Sequence, residues 1–397
     1  MTTRREFLRG AAGASLAGAR SGGPALTLFL AGDVMTGRAI DQVLPHPSNP
    51  RLEEPFMRSA LGYLRLAERT SGPIFRPVDF SYIWGDALAE LERRKPDLRI
   101  VNLETTITTS NDFAPKGINY RMHPKNAASL KAARLDCAVL ANNHILDFGV
   151  AGLLETLETL EALKIRTAGA GRNLREAQAP AVLEPPGKPR VLVFGFGTPG
   201  AGVPPHWAAG QTRPGVNFLP DFSAGAAKAV AAQIGAHRRS GDVVVASIHW
   251  GPNWGYTIPR AHREFARRLI EEAGVDLIHG HSSHHPIGIE VCQGRPVLYG
   301  CGDFINDYEG IEGYEAYRSH LVLMYFVTLE ATSRRLLALE MTPLKIRRFR
   351  LERVGREEAA WLRDMFTREG RALNTTATLN ADLTLTLGWR EAPAPRL

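Results

Sequence analysis

Four of the chain's 12 histidines fall within seven residues, at His279, His281, His284 and His285. Imidazoles crowded in this way repel one another once protonated and add little to packing, so the run points to metal ligation by neutral rings. Four other segments carry compatible groups. Asp33 follows Gly32, Glu104 ends Asn102-Leu103-Glu104, His249 precedes Trp250-Gly251, and Asn143 and His144 stand in Asn142-Asn143-His144 with Asp147 three residues on. Asp33, Glu104, Asn143, His249, His281 and His284 together offer oxygen and imidazole donors without a thiolate, a set that suits manganese, zinc or iron. Two divalent ions about 4 Å apart need roughly eight protein and solvent ligands, commonly with one bridging carboxylate. Each segment also has an ordinary reading. An Asp after a strand caps a helix, Asn-Asn-His makes a turn, and His249 beside a tryptophan fits a core. The metal reading requires the five segments to meet.

Apolar runs supply the means. Residues 25–31 form a run halted by Gly32-Asp33, and 99–103, 137–141, 191–196, 243–248, 275–278, 287–291 and 297–299 read as further strands. Helices are predicted at 84–94, 125–133, 150–163, 222–237 and 259–273; leucines 153, 154, 157 and 160 make one face of the third. Strands at 321–329 and 336–341 precede a charged helix at 356–371 and a weak tail. Strands alternate with helices early and cluster late, which indicates an α/β layered domain with more than one sheet. In open α/β sheets the carboxyl ends of neighbouring strands face one crevice, and all five polar segments stand at such ends. Residues 40–83 read as a polar, proline-rich insertion that walls the crevice, because it directly follows the Asp33 loop.

Composition narrows the function classes. With 397 residues, 44% hydrophobic and 22% charged, the chain has material for a large core, which excludes a disordered chain, a disulfide-stapled scaffold and a collagen-like fibre. No apolar run reaches about eighteen residues, so no transmembrane span is expected. Lys+Arg 48 against Asp+Glu 41 gives +7, a diluted excess without a nucleic-acid module, so no nucleic-acid partner is expected and an anionic substrate is tolerated. Cys137, Cys292 and Cys301 are too few for a disulfide framework or a zinc-thiolate cage; buried thiols or a Cys292–Cys301 bridge across a hairpin remain. Thr3-Arg4-Arg5-Glu6-Phe7-Leu8-Arg9, followed by small residues and Ala17-Gly18-Ala19, resembles a twin-arginine export signal, which implies a periplasmic or other extracytoplasmic location; the alternative is a basic tail on a cytoplasmic protein. Three parts are expected: a signal-like segment and linker at 1–24, a domain at 25–345 with the insertion, and a C-terminal extension at 346–397.

Gly32-Asp33-Val34-Met35-Thr36-Gly37-Arg38, Asn102-Leu103-Glu104, Ala141-Asn142-Asn143-His144-Ile145-Leu146-Asp147-Phe148-Gly149, His249-Trp250-Gly251, Gly280-His281 with His284 and Glu290, and Gly302-Asp303-Phe304 occur in the order found in the bacterial capsule-synthesis CapA family. That family is associated with poly-γ-glutamate synthesis and belongs to the calcineurin-like metallophosphatase superfamily. The resemblance covers residues 26–330 and implies a four-layer αββα sandwich of the metallo-dependent phosphatase type. Met35 stands where the superfamily has a first histidine, Glu104 where it has an aspartate, and two residues instead of one separate the last two histidines.

Carried over residue by residue, the resemblance implies one or two divalent ions. Asp33, a bridging Glu104 and His284 would hold one; Asn143, His249 and His281 would hold the other. His144, oriented by Asp147, would protonate a leaving group displaced by metal-activated water. Arg38, Lys116 and Arg121 are candidates to clamp an anionic substrate. His285, Glu290 and Asp303 would fix imidazole tautomers. Trp250, Trp254 and Tyr256 either line the cleft or pack in the core. Two functions follow: a metal-dependent hydrolase of a phosphoester or polyglutamate amide, working beside capsule-synthesis machinery, or a non-catalytic capsule component that binds an anionic polymer.

Overall fold

The computed structural model describes residues 25–390; the twin-arginine-like segment lies outside the described residues. Two large sheets stack face to face. The first has ten strands, with Ala25–Val34 at its centre between Leu321–Glu330 and Leu98–Leu103, which leads on to Cys137–Val139 and Arg166–Ala168. The second has six, in the order Ile289–Cys292, Arg295–Leu298, Leu277–His281, Val243–His249, Val191–Gly197, Ala181–Leu183.

Alternation within each strand produces the layers, because successive side chains leave on opposite faces. Leu26, Leu28 and Leu30 enter the core between the sheets with Val191, Val193, Val243 and Val245. Phe29 and Ala31 turn outward to meet the helices Ala60–Ser71, Asp86–Arg94 and Gly149–Ala162. Leu192, Phe194, Val244 and Ala246 turn the other way, against Ala224–Gly235 and Arg260–Glu271. Strands buried on both faces therefore read as unbroken apolar runs. The order helix, sheet, sheet, helix is the expected αββα sandwich.

Three expectations need correction. Residues 40–83 are less an insertion than part of the outer layer: Leu52, Tyr63, Leu64 and Ala67 are buried there, and the helical spacing of the last three makes an apolar face on Ala60–Ser71. A boundary at 345/346 falls inside the strand Leu336–Arg347, and the tail is structured. The helix Arg356–Gly370 places Leu362, Met365 and Phe366 in the core between the sheets, and Thr375–Leu379 and Leu385–Trp389 extend the first sheet. All three cysteines are free, so no Cys292–Cys301 bridge forms. Among the described residues, no helix is long and apolar enough to cross a membrane.

Candidate metal centre

Strand register brings the polar segments together. Ala25–Val34, Leu98–Leu103 and Cys137–Val139 run parallel, as do Val191–Gly197, Val243–His249 and Leu277–His281, so both sheets present carboxyl ends to the same side. His249 and His281 are register partners in the second sheet, and Asp33 and Asp303 are register partners in the first. The chain after Leu298 leaves the second sheet and joins the first at Asp303–Ile305. This crossing needs two glycines. A Cβ on Gly32 would lie 1.8 Å from the Gly302 carbonyl oxygen, and Gly302 itself has φ +77°. Without side chains the backbones close, and Asp33 N–H donates to the Gly302 carbonyl at 3.0 Å.

Asp33 is the common member of two compact donor groups, one with His249 and His281, the other with His284 and Asp303. Within each group the ligand atoms lie within 4.8 Å of one another. All five residues are buried. Asp33 is the member common to both groups, where Glu104 was expected to be shared, and Asp303 Oδ1, itself a donor in the second group, lies 2.9 Å from His284 Nδ1. Glu104 stands beside the groups, its Oε1 3.7 Å from His144 Nε2 and 4.0 Å from His249 Nε2. Asn143 Oδ1 lies 3.1 Å from His249 Nε2.

Hydrogen bonds fix these donors. Asn102 Nδ2 donates to Asp33 Oδ1 at 2.8 Å and to Glu104 Oε2 at 3.2 Å, and Asn142 Nδ2 donates in turn to Asn102 Oδ1 at 3.1 Å. Ser282, at φ +103°, points its N–H at Asp33 Oδ2; strained backbone of this kind concentrates at functional sites. Ser247 Oγ lies 3.0 Å from both His279 Nδ1 and His281 Nε2, and His279 Nε2 donates to the Ala31 carbonyl at 2.9 Å. The carbonyl requires N–H at His279 Nε2, so with His279 neutral its Nδ1 accepts from Ser247. Ser247 then accepts from His281 Nε2–H, and the His281 Nδ1 lone pair faces His249 and Asp33. His279 is thereby assigned a tautomer-setting role that its position in the histidine run did not reveal.

Electrostatics match a cation site. Burial, and then the neighbouring Asp303 charge, raise Asp33 to about 7. Burial and Asp33 push Glu104 well above the carboxylate range. Burial holds His249 and His281 well below the usual imidazole value. For His284 burial is outweighed by the Asp303 carboxylate, and its value rises. Carboxylates crowded out of water and neutral rings with inward lone pairs are what a divalent ion relieves. The donor set fits such an ion.

His144 flanks the groups. Its Nδ1 lies 2.6 Å from Asp147 Oδ2, leaving Nε2 toward Glu104. Asp147 also accepts from Tyr120 N–H and from Lys116 Nζ at 2.7 Å, and Lys116 further donates to the Asn143 carbonyl. Burial lowers His144 to about 4 against the raising effect of Asp147, so the ring is neutral at pH 7.

The remaining expectations separate. Arg38 is not free to clamp a substrate: its Nε donates to Asp307 at 3.1 Å, its Nη1 pairs with Glu54 at 3.0 Å, and Tyr63 and Tyr120 cover its faces. Arg121 is turned away, donating to the Ser110 and Asn49 carbonyls and to Asn111. Glu290 touches no histidine; it accepts from Tyr299 Oη and pairs with Arg263. His285 accepts from Gly255 N–H and packs among Trp254, Tyr256 and Tyr317. Trp250 is buried against His262 and Tyr299. Asn102, Asn142, Ser247 and Ser282 are the contributors that spacing could not single out.

Residues 27–308 match the family described as bacterial capsule synthesis protein PGA_cap, which is more than half of the chain. The chain belongs to that family. A relative from Mycobacterium tuberculosis, named probable polyglutamine synthesis accessory protein, is 46% identical over 359 residues, covering 90% of this chain and 94% of its own. The PGA biosynthesis protein CapA of Bacillus subtilis is 26% identical over 330 residues, covering 81% and 72%. The crystal structure of a novel phosphatase from Mycoplasma pneumoniae superposes with a TM-score of 0.44 at 12% identity, covering 83% of this chain and 95% of that one, a likeness too distant to transfer an activity.

Proposed function

We propose that this capsule-family protein is a divalent-metal-dependent hydrolase that acts outside the cytoplasm, on a phosphoester or on an amide of a polyglutamate-like polymer. The observation that carries the reading is the sharing of Asp33 by two donor groups beside a histidine already bonded to a carboxylate. When bound, a divalent ion supplies an acidified water and polarises the scissile group. His144 Nε2 faces the same space, and an anionic substrate beside it raises the imidazole toward its protonated form, ready to meet a leaving group. Asp147 and Lys116 hold that ring in place. The polymer class is supported by the names of the relatives, and the location by the arginine pair at Arg4 and Arg5.

Metal analysis of purified protein, paired with turnover of a generic phosphodiester and of polyglutamate by wild type and His144→Ala, tests the reading. The expected result is bound metal and His144-dependent turnover. Bound metal without turnover on either substrate leaves a non-catalytic component that binds an anionic polymer. Failure to hold metal in excess manganese or zinc rejects the site altogether. For location, Arg4→Lys with Arg5→Lys should retain the protein in the cytoplasm, and unchanged export refutes the signal.

A further inference from the structure

A groove of about 790 Å³ opens beside His284, within the range of small-molecule sites. Its rims are apolar and open to water. Among the six exposed large hydrophobic residues of the described chain, three line this groove: Phe56, 71% exposed, Ile311, 39%, and Tyr314, 42%. Phe56 comes from the segment before Ala60–Ser71, the other two from the loop after Asp307, so two separate stretches bring apolar groups to one opening. Tyr314 stacks on Trp254 with ring centroids 3.9 Å apart and planes 9° from parallel, a flat aromatic surface at the groove wall. Exposed apolar groups gathered in a concavity mark a binding surface.

Charge at the groove sets what binds. Arg318, His320, Lys345 and Arg347 also line the groove. The groove's two acids are already engaged: Glu309 accepts the N–H groups of Arg348 and Phe349, and Glu315 that of Gly313. Lys345 pairs with Glu358, but Arg318 has no acidic partner among the described residues and lies over the Trp361 ring.

We infer that this groove is a specificity subsite for an organic anion whose leaving or flanking group carries a flat apolar ring, packed against Phe56 and against Tyr314, which Trp254 backs. The inference rests on the hydrolase reading only for the placement of the anionic centre by His284. The ring contacts need no metal.

Phenylphosphonate and methylphosphonate, titrated calorimetrically with manganese and with chelator, test it. Phenylphosphonate should bind about tenfold tighter than methylphosphonate under both conditions. Phe56→Ala combined with Tyr314→Ala should bring the ratio close to one while leaving methylphosphonate affinity and melting temperature unchanged. Equal binding of the two probes, no binding of either, or a preference that survives the double substitution overturns the inference. If the phenyl preference holds and manganese strengthens neither probe, the groove stands and the metal-hydrolase reading falls.

Discussion

His144 is held between two demands: burial keeps its ring neutral, while a proton-transfer role needs the charged form within reach. Asp147 supplies the orientation, Lys116 fixes Asp147, and Nε2 is the one ring nitrogen turned to the donor groups. Substituting His144 with Ala should lower kcat by about 10²–10⁴-fold at unchanged metal content, the range for loss of a positioned proton-transfer group; steady-state rates with metal analysis on the same sample check this. Ser247 makes a different prediction. Ser247→Ala removes the hydroxyl that sets the His281 tautomer, and metal affinity should fall about 10–100-fold, as for other groups that orient a ligand. A chelator competition titration reads that loss without any turnover. Arg38, expected at first to hold substrate, instead ties Glu54 and Asp307 together. Arg38→Met strands two buried carboxylates and should cost about 3–5 kcal/mol in urea unfolding.

At the scale of elements, the strands that carry the site were legible because their apolar runs stop at polar residues. The runs ending at Gly32-Asp33 and His249 emerge as Ala25–Val34 and Val243–His249. What spacing could not convey is register. Asp303 faces Asp33 through a strand of three residues, too short to stand out as a pattern, and two backbone glycines make the contact. The family resemblance placed Glu290 among the groups that fix imidazoles, yet its strand directs it to Tyr299 and Arg263. The helix Arg260–Glu271 carries a further consequence. His262 is buried between Trp250 and Phe222, and burial alone lowers it to about 4. Below the unfolded value near 6.5 the unfolded chain binds the extra proton first, so this stabilisation is complete above about pH 6.5 and is lost as pH falls toward 4. His262→Phe should remove on the order of 3 kcal/mol of acid sensitivity in that window. Melting curves of both proteins from pH 7 to 4 measure it; parallel curves would falsify the assignment.

At the scale of the whole molecule, the last 45 or so described residues were read from sequence as an extension, on the order of a small subdomain, because their helix is highly charged and the segment after it reads as a weak tail. Charge on the outer face hid the inner one. Leu362, Met365, Phe366, Leu385 and Leu387 all enter the core between the sheets. Truncation after Lys345 should therefore yield insoluble or molten protein, whereas a chain of residues 25–390 should unfold cooperatively; solubility and calorimetry of the two distinguish a dispensable tail from a structural closure.

The chain's crossing from the second sheet to the first sets an order in time. Ser282 N–H reaches Asp33 across 249 residues of sequence, and Asp303 meets it from further still. A ribosome delivering the chain from its amino end releases Asp33 long before either partner exists. Until the crossing has emerged, each nascent half holds an incomplete ligand set, and no bidding for an ion by the early segment alone can reproduce the finished site. On the metal-dependent reading proposed above, an ion is therefore chosen by the completed protein, wherever that protein then finds itself.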